Sequence, residues 1–131
     1  MGCPNLYNHN VAKTANINEL IYVLEKELVD IYNDLSTLSM KSKEIYEIGK
    51  KVYSINSTIL NLLKSIKRLD KVNNFEKIRQ NCACSLNYYY NCYANLDNNN
   101  DEYKELKDFN IAEIQLMEIK NELTDIVKKQ Y

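Results

Sequence analysis

The chain has 131 residues, 17 of them basic and 18 acidic, with a formal net charge of −1. That length suits one domain with a real hydrophobic core, and a near-neutral field gives no general attraction to nucleic acid or to an anionic membrane. Two glycines and one proline are too few for a fold built on hairpin turns or for a glycine-rich phosphate loop, so helices are expected throughout.

Residues 1–15 show no periodicity and contain the only proline, Pro4, and the only histidine, His9. They are expected to form a flexible arm ahead of a single helical domain over residues 16–131. Gly2-Cys3 resembles an acylated start, but the myristoylation pattern needs Ser or Thr at the sixth residue and Leu6 stands there.

Asn16-Ile17-Asn18-Glu19 has the form of a capping box, so a helix is predicted to begin there. From that point Ile17, Leu24, Ile31, Leu38, Ile45, Val52, Ile59 and Ile66 recur at every seventh residue without a gap. Such a row implies coiled-coil-like packing. A companion row holds Leu28 and Leu35, then Ile48, Ile55, Leu62 and Leu69, and it shifts by one position near residues 41–49. The shift marks either a turn near residues 39–43 or a change of partner along one long helix over 17–70. No Asn-x-x-Glu box, Gly or Pro lies at 39–43.

Asn73-Asn74-Phe75-Glu76 is the second box; Phe75, Ile78, Cys82, Leu86, Tyr89, Tyr93 and Leu96 then share one helical face. A turn rich in Asx residues follows at 97–101, with a third box from Asn99 to Glu102. The last helix carries Leu106, Phe109, Ala112, Leu116, Ile119, Leu123 and Ile126 at alternating three and four spacing. The expected fold is all-α, an antiparallel four-helix bundle. The alternative is a long helix with a helical hairpin, paired as a dimeric coiled coil.

Catalytic chemistry finds few candidates. Glu-x-x-His, the ligand pattern of ferritin-like bundles, is absent, and no histidine stands on a helix to serve a nucleophile. Glu27 and Glu113 lie beside apolar stripes, as flanking ion-pair positions would. In Asn81–Cys92 three cysteines crowd one helix, yet Cys82 and Cys84 point about 200° apart and cannot clasp one metal. Cys82 and Cys92 have a spacing similar to one half of the twin C-x9-C pattern of small mitochondrial intermembrane-space proteins. That pattern needs a second pair on a facing helix, and only Cys84 and Cys3 remain. Cys82 is therefore expected in the core, Cys84 and Cys92 at the boundary or surface, with a bridge to Cys3 as the alternative. No enzyme activity, metal or cofactor is expected.

Two surfaces stand out as binding candidates. Tyr88, Tyr90 and Asn91 are expected to face outward and, with Ile111 and Ile114 off the last stripe, to bind another protein. Tyr and Asn make contacts at low entropic cost. Lys64, Lys67, Arg68 and Lys71 fall at i, i+3, i+4 and i+7 and would form a basic helical stripe for an anion. The function expected first is a helical protein–protein interaction module, acting as scaffold, adaptor or inhibitor. The second is a nucleic-acid-associated regulator using the basic stripe. Abundant Asn, Ile, Lys and Tyr without Trp is the residue set of AT-rich codons, which suits a phage- or virus-encoded accessory protein. With no apolar run of membrane-spanning length and no leader pattern, a cytoplasmic chain, or one inside a host cell, is expected, with no membrane partner and with homodimerisation open.

Overall fold

A computed structural model describes residues 10–94, 96 and 106–130 of the chain. Cys3, the arm over residues 1–9 and the Asn99–Glu102 box lie outside the described residues. Four helices make the fold: α1 (Ile17–Lys41), α2 (Lys43–Ser65), α3 (Phe75–Ala94) and α4 (Leu106–Lys129). The chain is an all-α helical bundle.

α1 begins where its capping box places it. The Asn16 side chain accepts from the Glu19 N–H at 2.9 Å, and Glu19 reaches back to the Ala15 N–H at 3.4 Å. α1 and α2 are separated by Ser42 alone, an extended residue at φ −154° and ψ 105°. Ser42 serves both ends. Its N–H bonds the Leu38 carbonyl at 2.9 Å and its hydroxyl accepts from the Ile45 N–H at 3.3 Å. The turn thus falls within residues 39–43, on a serine cap that a search for Asn-x-x-Glu passes over.

Every member of the seventh-residue row from Ile17 to Ile66 is buried, and each full burial of such a side chain contributes about 1.5–3 kcal/mol. The second row is a different matter. Leu35, Ile48, Ile55, Leu62 and Leu69 are only partly buried. The positions that alternate with the Ile row are Leu20, Glu27 and Asp34 in α1 and Gly49, Asn56 and Leu63 in α2. Four of those six are polar or glycine, so hydrophobicity does not mark them.

α1 and α2 pack antiparallel: Tyr32 meets Tyr53 at 5.9 Å between ring centroids, and Lys64 pairs with Glu25 at 2.8 Å. α3 packs antiparallel on α2 and on α4, while α2 and α4 lie side by side in the same direction, joined at one end by Gln130 to Ser65. α2 touches all three other helices. α3 is enclosed: all eight residues from Cys82 to Tyr89 are buried. One full turn of small side chains, Cys82-Ala83-Cys84-Ser85, lets neighbours close on every side.

The last part of the expected arm is structured. Val11–Lys13 forms a 3-10 turn with Val11 in the core, and the Thr14 carbonyl accepts from Arg79 at 2.8 Å. Val11, partly buried Ala12 and the bonds from Arg79 and to Glu27 hold this stretch, a signal too small for periodicity to show.

Candidate functional site

The Tyr/Cys stretch 81–92 belongs to the core. Tyr88 is 7% exposed and stacks on Phe109 of α4, centroids 4.7 Å apart. Tyr90 is half-buried, and its hydroxyl donates to Glu27 at 2.6 Å. Neither is the outward tyrosine expected from the sequence; of that group only Asn91 is exposed. Cys84 and Cys92 are buried beside Cys82, not at the boundary, and none of the three is in a disulfide. Both corrections have one cause. The middle of α3, from Cys82 to Tyr89, is covered on all faces, whereas a single apolar stripe implies one wet face.

Between α1 and α3 lies a polar seam. Tyr89 donates to Asp34 at 3.1 Å; Glu27 accepts from both Tyr90 and the Asn10 amide, the latter at 3.3 Å. Glu27 is therefore a buried hydrogen-bond acceptor and not a flanking ion-pair residue. Burial, then the neighbouring carboxylates, push the Tyr89 and Tyr90 hydroxyls well above the usual tyrosine range. They remain protonated donors near neutral pH. Burial likewise pushes the Cys82 thiol up to about 12, which opposes the thiolate that nucleophilic chemistry needs. Among the described residues no cluster of His, Cys, Asp and Glu could hold a metal ion.

The basic stripe is not built. α2 ends at Ser65 and Ile66 is extended, so Lys67, Arg68 and Lys71 leave the helix that carries Lys64. Lys64 pairs with Glu25, and Arg68 pairs with Asp70 at 2.7 Å. The four cations share a sequence spacing without sharing a helix.

What the surface does offer is a groove between α2 and α4. It is open, about 510 Å³, with Ile55, Ile114 and Met117 along it and Lys51, Lys120 and Glu113 at its edges. Ile114 and Met117 are 60% and 46% exposed. Lys51 and Lys120 take part in no ion pair among the described residues. Of the partner-binding residues expected from the sequence, Ile114 lines this groove; Ile111 is half-buried and does not line it. Met117 and Ile55 were legible only as an off-stripe methionine and a member of the companion row. No helix among the described residues is long and apolar enough to cross a membrane. Comparison with known protein families, with curated proteins and with solved structures finds no match to this chain.

Proposed function

We propose that this chain is a non-enzymatic helical module that binds another protein, as scaffold, adaptor or inhibitor, through the α2/α4 groove. The observation that carries the reading is the clustering of exposed Ile114 and Met117 with Ile55 along one groove, since contiguous apolar surface marks interaction sites where scattered single residues do not. The occupant that fits is an amphipathic helix. Its apolar side chains would cover Ile55, Ile114 and Met117, and Asp or Glu on its flanks would meet Lys51 and Lys120. A phage- or virus-encoded accessory protein remains the origin that composition favours.

The nucleic-acid reading has less to support it, since α2 ends before Lys67 and the Lys64 and Arg68 side chains pair with carboxylates. The test is capture of partners by immobilised wild type, by Ile114→Asp/Met117→Asp and by Met40→Asp. Met40 is 90% exposed, stands on α1 and does not line the groove. A partner retained by Met40→Asp and lost by the groove variant is the expected result. A partner set unchanged by the groove variant overturns the assignment.

A further inference from the structure

Asn56-Ser57-Thr58 is the only Asn-x-Ser/Thr triplet in the sequence, the acceptor pattern for N-linked glycans, which occupy surface positions in secreted proteins. Here the acceptor is at the centre of the bundle. Asn56 is 0% exposed. Its amide donates to the Val52 carbonyl and to the Ser85 hydroxyl of α3, each at 2.9 Å. Its carbonyl oxygen is buried without a hydrogen-bond partner. Glycosylation would replace one amide hydrogen by the C1 of an oligosaccharide, the lipid diphosphate departing from that carbon. One of the two bonds would then be lost, and a hydrophilic chain many times the size of the side chain would stand between α2 and α3.

The transferase acts on unfolded chain in the secretory compartment, so closure of the bundle gives Asn56 no protection there. We infer that Asn56 is a cryptic glycan acceptor whose modification bars this fold.

The experiment adds a cleavable secretory leader to the full chain in cultured mammalian cells and compares wild type with Thr58→Val. Valine keeps the shape of threonine and removes the acceptor pattern without touching Asn56. Both chains are also made in the cytosol, where their melting temperatures establish that Thr58→Val folds. The expected result is a glycosidase-sensitive wild type retained in the cell and a secreted, unglycosylated, helical Thr58→Val. Three results overturn the inference: secretion of folded wild type carrying the glycan, secretion of folded wild type without it, or equal retention of both chains.

Discussion

The Tyr90 hydroxyl donates to Glu27 Oε2 at 2.6 Å, joining α3 to α1 across 63 residues of sequence. Glu27 takes a second bond from Asn10, so one buried carboxylate ties the N-terminal turn, α1 and α3 together. Bonds to charged groups contribute about 1.5–3 kcal/mol, and a buried acceptor stripped of its donor costs on that scale. Tyr90→Phe is expected to destabilise the fold by about 2 kcal/mol. Tyr89→Phe is expected to cost less, because Asp34 is half-buried and its bond is longer, at 3.1 Å. Urea midpoints of the two variants check the order.

Gly49 of α2 sits against Leu35 of α1 and Tyr89 of α3. A Cβ there would stand 2.9 Å from Leu35 Cδ2 and 3.0 Å from Tyr89 Cε1. Gly49→Ala gains about 1 kcal/mol of helix propensity and meets an overpacking penalty of about 1–3 kcal/mol. The Leu35 tip can swing away, but the Tyr89 ring is held by its bond to Asp34, so a net loss of about 1 kcal/mol is expected. A glycine that merely tolerated its helix would show a gain in melting temperature instead.

Much of this architecture is written in the Ile and Leu spacing, because a row at every seventh residue fixes which side of α1 and α2 turns inward. The second row escaped the same reading because Glu27, Asp34, Gly49 and Asn56 occupy it, and their burial depends on partners elsewhere in the chain: Tyr90, Tyr89 and Ser85. The basic stripe failed for a related reason. A spacing of three and four residues aligns side chains only while the helix lasts, and α2 stops before Lys67. Ile114 was legible because it broke its own stripe; Lys51 and Lys120 were not, since two lysines on separate helices share a groove only once α2 and α4 lie together.

Stability is expected to fall in alkali. In the folded chain burial pushes Cys82 from 9.0 up to about 12; burial also raises Cys92 to about 11, aided by the charge of Glu44 and opposed by its bond with Tyr88. From pH 9 upward the unfolded chain gives up thiol protons that the folded chain keeps. The stability these thiols lend is whole below pH 9, then declines by about 1.4 kcal/mol per pH unit per thiol. Tyr89 and Tyr90 add to the decline above about pH 10. Urea unfolding in reducing buffer at about pH 8 and about pH 10.5 reads the slope, and Cys82→Ala should flatten it.

Ser42 is the single residue between two helices, and its hydroxyl caps the second of them. Ser42→Ala removes a cap worth about 1 kcal/mol and favours a continuous helix at the joint. The expected outcome is a concentration-dependent dimer by light scattering, at higher helix content. A variant with the wild-type mass in solution and only a lowered melting temperature would limit Ser42 to its capping role.

The joint at Ser42 has a wider consequence, because Leu38 and Ile45 keep the seven-residue beat across it. The inward faces of α1 and α2 would stay aligned if the joint straightened, and Leu35 and Gly49, which meet in the hairpin, lie seven residues to either side of it. Two straightened chains laid head to tail about this point would re-create the hairpin's contacts between copies. On that arrangement the bent and straight forms would share one set of side-chain contacts, and the two backbone torsions of Ser42, both far from helical values, with protein concentration, would separate a chain that closes on itself from one that closes on its twin.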